Sequence, residues 1–313
     1  MNSQMPTGME KLDPRSLPAK ACDICGGVNK RFLFKKGGYS IVRCKDCGLV
    51  FTDAQISKEQ LVSLYGEEFF HADLDTGAGS SLLDYEEQRE ITVHNLLKKF
   101  NIVKHHLPKG GRLLDVGCAH GFFIEAVKDQ YDVYGLDISE YAVAYARDVL
   151  GLPNAIKGVI EELDFPDEYF NVITMWNTLD HVPNPQTALR HANRLLVKGG
   201  VLLLYVEDIG CWMSRLMGRY WFPIFPPFHL TYFDRRSIRR ALDRAGFDIL
   251  TRMKVGVDLR IKDIFNRLQC QWHSRASLFM YNLLKDKAVG NILFNFGSGG
   301  NMFVTARKVR PSE

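Results

Sequence analysis

At 313 residues the chain has room for one large domain and a small one. Its 46% hydrophobic and 24% charged residues are ordinary for a soluble globular protein, and no run of about 18 apolar residues exists, which excludes a membrane-spanning helix. The net charge of +4 is uneven: residues 1–50 hold nine Lys/Arg against four Asp/Glu, and the remainder is close to neutral.

Residues 1–20 have no apolar signal-peptide core, so a flexible tail and a cytoplasmic location are expected. Over residues 21–52, Cys22-x-x-Cys25 and Cys44-x-x-Cys47 stand 18 residues apart, the spacing of a four-thiolate zinc site. Gly26 and Gly48 follow the second cysteine of each pair, where a sharp turn aims backbone amides at the sulfurs. Between the pairs, 31–34 and 40–43 read as short strands around a Lys35-Lys36-Gly37-Gly38 turn, which makes a zinc ribbon. About 30 residues bury too little surface to fold alone, so structural Zn2+ supplies folding energy and, in a closed site, no catalysis. Cys118, Cys211 and Cys270 stand alone, as in a reducing compartment.

Residues 53–107 read as a helical linker or cap. Ser57 to Gln60 is a capping-box start, residues 67–81 are loop-like, and Val93, Leu96, Phe100, Val103 and Leu107 give helical spacing from Asp84 to Leu107. From 108 to 313 strands and helices alternate. Strands are expected at 112–116, 132–136, 171–176 and 201–206, and helices near 122–130, 139–150, 186–197 and 235–245. The runs 247–250 and 301–306 add two further strands. This is an α/β pattern, a Rossmann-like doubly wound sheet of seven strands. Inserts interrupt it near 209–234, dense in aromatics and Pro, and near 257–296, which reads as helical.

The stretch LLDVGCAHGFFIEAV, residues 113–127, runs from strand through a small-residue loop into helix. A dinucleotide fingerprint needs glycine at 117, 119 and 122, whereas this chain has Gly117, Ala119 and Phe122. With VYGLDIS following, and TMWNTLDHVPNPQTALRHANRLLVKGGVLLLYVED after the next strands, residues 108–208 resemble the class I S-adenosylmethionine-dependent methyltransferases. The ribbon and the downstream FHLTYFDRRSIRRALDRAGF are similar to a zinc-ribbon subgroup of bacterial members, several of which act on sugars or other small metabolites.

The resemblance implies a cofactor site. Gly117, Cys118 and Gly121 would let the backbone approach the methionine moiety, provided Ala119 keeps a negative φ. Asp115 would face the amino group, Asp137 would bind the ribose hydroxyls, and Ile138 would pack on adenine. Asp137 could instead only cap the helix begun at Ser139. Val159 stands where an acidic adenine reader is common, leaving Ile160 and Glu161 as candidates, of which Glu161 could equally be a surface charge. Trp176 and the residues after it lie at the C-terminal ends of the strands, where ligands bind. On the acceptor side, His181 is a base or a helix-start hydrogen bonder. His229 and Tyr232 are proton carriers or members of an aromatic lid.

Residues 216–228 cover the crevice or touch a membrane or a lipid-linked substrate. The leading expectation is in-line methyl transfer to a small-molecule or glycan-type acceptor. The alternatives are an RNA methyltransferase whose basic ribbon holds nucleic acid, against which the missing [DN]-P-P-[FY] motif counts, and a non-catalytic scaffold.

Overall fold

The computed structural model describes residues 13, 16–70, 85–272, 275–297 and 300–312. Most of the expected tail and loop over 67–81 lies outside these residues; the described start of that loop, Glu67–Phe70, is a helical turn.

The ribbon is formed by antiparallel strands β1 (Lys30–Lys36), β2 (Tyr39–Cys44) and β3 (Val50–Thr52). Its two cysteine knuckles repeat one pattern: the Gly26 amide donates to the Cys22 carbonyl at 2.7 Å, and Gly48 to Cys44 at 3.0 Å. Both glycines sit at left-handed φ, +72° and +83°. The four sulfurs converge, with Cys22 to Cys47 at 3.3 Å and Cys25 to Cys44 at 3.5 Å. Hydrogen bonding from Cys22 pushes the Cys47 thiol down to about 5, so a thiolate is at hand. This chemistry and spacing fit a tetrahedral four-thiolate zinc site.

The linker contains α1 (Lys58–Leu64), α2 (Glu67–Phe70) and α3 (Arg89–Ile102). The α1 start is a capping box, with the Ser57 side chain bonded to the Gln60 amide and the Gln60 side chain to the Ser57 amide. In and just after α3 the expected apolar stripe is buried at Phe100, Val103 and Leu107, and other residues join its inward face. Val93 and Leu96 are half buried, while Ile91, Asn95, Lys99 and Phe100 face inward. Asn95 is drawn in because its side chain accepts the Asp258 amide at 2.8 Å and donates to the Asp258 and Ile91 carbonyls.

The large sheet uses β4 (Arg112–Val116), β5 (Asp132–Asp137), β6 (Ala155–Lys157), β7 (Phe170–Trp176) and β8 (Leu196–Glu207). Later in the chain come β9 (Thr231–Tyr232), β10 (Phe247–Met253), β11 (Val257–Arg260), β12 (Leu293–Phe296) and β13 (Asn301–Lys308). The helices between them are α4 (Phe122–Val127), α5 (Glu140–Ala144), α6 (Pro185–Leu195), α7 (Trp212–Met217), α8 (Arg235–Arg244), α9 (Ile261–Trp272) and α10 (Arg275–Leu284). The seven strands lie in the order β10-β13-β8-β7-β4-β5-β6, parallel from β8 to β6, with β13 antiparallel between β8 and β10. This is the Rossmann-like methyltransferase fold. Strand β7 is almost wholly buried, as a parallel strand covered on both faces must be. The order reverses between β4 and β7, which places the ligand crevice at their C-terminal ends.

Several boundaries differ from the sequence reading. The helix expected at 139–150 is α5 followed by a π-helical turn, Tyr145–Val149. Strand β6 is three residues long, too short for periodicity to reveal. The 257–296 insert is helical but also contributes the antiparallel β11–β12 pair at its two ends. No helix among the described residues is long and apolar enough to cross a membrane.

The larger difference concerns the ribbon, which is built into the main body. Strand β9, from the 209–234 insert, pairs antiparallel with β3 and extends the ribbon sheet. Ile24, Leu49 and Phe51 share one apolar cluster with Phe233, Ile238 and Leu242. Phe51 is fully buried there. Phe51→Ala is expected to cost about 3–5 kcal/mol and to lower a single unfolding transition followed by calorimetry. A separate ribbon transition, with the main one unmoved, would contradict this shared core.

Candidate active site

Strand β4 delivers Asp115, fully enclosed, where it accepts the Thr174 hydroxyl at 2.6 Å. Burial pushes its carboxyl up to about 8. In the loop that follows, Gly117 and Gly121 take left-handed φ, +76° and +80°. A Cβ on Gly117 would stand 2.3 Å from Thr178 Oγ1, so only glycine fits. Ala119 also lies at φ +48°, which corrects the expectation of a negative φ. Its amide donates to Asp137 Oδ2 at 2.8 Å, and that bond holds the strained alanine in place.

Four of the loop amides are spent internally, that of Ala119 on Asp137. Gly117 and Cys118 both donate to the Leu136 carbonyl, and Gly121 donates to Cys118. A pyrophosphate loop would need such amides pointing at its ligand. With these amides engaged, and with buried Asp115 and half-buried Asp137 alongside, the loop suits a cationic group better than an anionic one. Cys118 is corrected in part: its thiol turns into the core over Gly135, where a Cβ would lie 2.8 Å from Sγ, so only its backbone borders the loop.

Asp137 ends β5 with both oxygens engaged, Oδ2 by Ala119 and Oδ1 by the Ser139 amide at 2.9 Å. Helix α5 is capped by Ser139 itself, so Asp137 is not the cap. Ile138 is half buried and packs against the cluster of Ile56, Leu61, Phe228 and Leu230. Glu161 lies on the 3-10 turn Ile160–Glu162, where burial raises its carboxyl. Trp176 departs from the reading: its ring packs between Phe123 and Phe303, at 5.2 and 5.7 Å, as a core side chain.

After β7 the chain bends through Asn177, at φ +48°, into Asp180 and His181. The Leu230 and Thr231 amides both donate to the Asp180 carbonyl, at 2.9 and 3.1 Å, which draws His229 against His181. Their rings meet edge to face with centroids 4.3 Å apart. His181 Nδ1 is 2.8 Å from the Tyr65 hydroxyl, and its Nε2 is 3.9 Å from Asp180 Oδ1. Asp180 is fully buried, and neither carboxylate oxygen completes a hydrogen bond among the described residues. Burial raises Asp180 and drives His181 down to about 4 and His229 to about 3. Glu207, half-buried at the end of β8, is also raised by desolvation. Tyr232 does not join this group. Its hydroxyl donates to the His229 carbonyl at 2.9 Å and its ring lies with Ile41, Val50 and Trp221.

The model of a methyltransferase domain family matches residues 85–252, slightly more than half of the chain. The chain belongs to the class I S-adenosylmethionine-dependent methyltransferases. It is 34% identical over 146 residues to a ubiquinone/menaquinone biosynthesis C-methyltransferase of Vibrio campbellii, covering 43% of this chain and 56% of that one. The Serratia proteamaculans protein of the same description is 27% identical over 188 residues, covering 51% and 75%. The chain thus spans about half the length of the first of these relatives. Among solved structures, an S-adenosylmethionine-dependent methyltransferase from Mesorhizobium loti has a TM-score of 0.45 at 18% identity, covering 67% of this chain and 97% of that one. The YcgJ protein from Bacillus subtilis has a TM-score of 0.48 at 16% identity, with 69% and 99% covered.

In this methyltransferase the ribbon reaches the segment that carries His229. Thr52 of β3 donates its hydroxyl to the His229 carbonyl at 3.1 Å, and its amide donates to the Leu230 carbonyl at 2.9 Å. Sequence reasoning missed Thr52, Tyr65, Thr174 and Glu207. Two had signals: Thr174 is a polar residue inside the buried run FNVITMW, and Glu207 is the first carboxylate after GVLLLYV. Asp137→Ala removes the anchor of both loops and is expected to weaken S-adenosylmethionine binding by about 10- to 150-fold, read by calorimetry. An unchanged affinity would take Asp137 out of the cofactor site.

Proposed function

We propose that this protein methylates a small-molecule or glycan-precursor acceptor, with His229 as the base that receives the acceptor's proton. When bound, S-adenosylmethionine supplies a methyl group already activated on a sulfonium. The protein's own task is therefore to align the acceptor, exclude water and accept a proton. Asp115 is assigned to the cofactor's ammonium, Asp137 to its ribose hydroxyls, Ile138 to the adenine face and Glu161 to the adenine amine. Gly117 and Gly121 keep that approach open. A zinc ion in the ribbon would be held by Cys22, Cys25, Cys44 and Cys47 in a closed site with no chemical role beyond folding.

The observation that carries the reading is the His181–His229 pair against the buried Asp180. Burial keeps both imidazoles neutral at physiological pH, so each retains a lone pair. The Tyr65 hydroxyl at His181 Nδ1 holds that ring, which fits His181 as a positioning partner. His229 Nδ1 is buried without a partner among the described residues, and we assign it as the basic atom. Asp180 attracts the positive charge that forms on His229 when it takes the proton. Tyr232, the third candidate, acts through its hydrogen bond to the His229 carbonyl and positions the base.

The C-methyltransferase description of the relatives supports an acceptor of the carbon-acid or phenolic kind, for which a neutral base is suited. His229→Ala is expected to lower kcat about 10²- to 10⁴-fold with cofactor affinity kept, measured with labelled cofactor on a panel of enolisable and hydroxylated acceptors. Because the base must be neutral and burial depresses its pKa, kcat/KM should persist as pH falls through 6.5 and collapse only near pH 3. An acid limb centred at 6.5, or a variant with near-normal kcat, would sink the assignment.

A further inference from the structure

One face of the molecule combines exposed apolar side chains with cations in a way that neither the crevice nor the fold requires. Helix α7 and the turn Gly218–Tyr220 leave Trp212, Leu216, Tyr220 and Phe222 exposed, at 63%, 78%, 66% and 50%. Arg215 and Arg219 are exposed between them, and residues 209–228 contain no Asp or Glu. The turn packs against ribbon strand β1, whose inward residues Leu33 and Phe34 join the same cluster as Met213, Met217 and Trp221. The outward residues of β1 continue the surface, with Phe32 57% exposed and Arg31 and Lys35 exposed beside it. Residues 24–45 are also free of carboxylates.

We propose that this face docks the protein on an anionic lipid surface, with Trp212, Leu216, Tyr220 and Phe222 entering the interface and the arginines of α7 and β1 meeting lipid phosphates. An apolar patch of this kind on a soluble face marks an interaction site, and indole and phenol rings favour the boundary between water and acyl chains. Cations beside them add electrostatic attraction to an acidic membrane. Leu216 decides between partners. It is the most exposed large apolar side chain among the described residues, and an aliphatic group offers nucleic acid bases no ring to stack on. Leu216 and the arginines lie outside the residues assigned to the cofactor and the acceptor, so docking stands or falls apart from the methyl-transfer reading.

The test is co-sedimentation of the full chain with vesicles of phosphatidylcholine alone or with about 30% phosphatidylglycerol, and, separately, retention of a single-stranded RNA oligonucleotide. The expected result is binding to the anionic vesicles that weakens with salt and is at least tenfold weaker for Leu216→Glu. Arg215→Ala with Arg219→Ala is expected to lose about 25-fold, each cation contributing about fivefold. Both variants should keep the wild-type melting temperature and S-adenosylmethionine affinity. Equal partition of wild type and Leu216→Glu, or no preference for anionic vesicles, would overturn the proposal. Tight RNA binding indifferent to Leu216→Glu, with no vesicle binding, would reassign the face to nucleic acid.

Discussion

Both carboxylate oxygens of Asp137 are taken by backbone amides, one from Ala119 across the crevice and one from Ser139 on its own strand's exit. That single side chain ties the loops after β4 and β5 together and holds an alanine in a left-handed conformation. The Gly117, Cys118 and Gly121 amides close on the Leu136 and Cys118 carbonyls. A loop of the same outline with free amides would bind pyrophosphate. The difference between the two kinds of cofactor turn lies in where the hydrogen bonds go.

The second half of the site depends on burial without compensation. Asp180 is enclosed with no hydrogen bond completed to its carboxylate, beside two imidazoles held neutral. Such an arrangement costs stability and is kept where a proton or a charge is to be handled. Its geometry comes from the Asp180 carbonyl, which receives two amides of the 226–231 segment, and from Thr52 and Tyr232, which both donate to the His229 carbonyl. The ribbon therefore helps to fix the position of His229.

Much of this was legible in the residues. The paired cysteines with following glycines, the Asp115 and Gly117 turn and the strand–helix alternation rest on local rules: tight turns demand glycine, thiolate sites demand spacing, and buried parallel strands demand apolar runs. Where the reading failed, long-range contacts outweighed local ones. Asn95 faces inward because Asp258 meets it there, Cys118 turns inward because Gly135 makes room, and Trp176 serves the core because Phe123 and Phe303 flank it. Strand β9, two residues long, has no periodicity at all and exists only because β3 offers it an edge.

The sequence by itself determined the cofactor class, the paired-cysteine pattern and the alternation of strands with helices, because each depends on residues close together in the chain. Only the tertiary structure decided that the ribbon is joined to the catalytic body, that Tyr232 supports His229 through its backbone, and that His181 and His229 share one buried carboxylate. His181 and His229 are 48 residues apart, and Thr52 of the ribbon lies 177 residues before His229. Their hydrogen bonds and desolvation are set by how the chain packs, which no local spacing records.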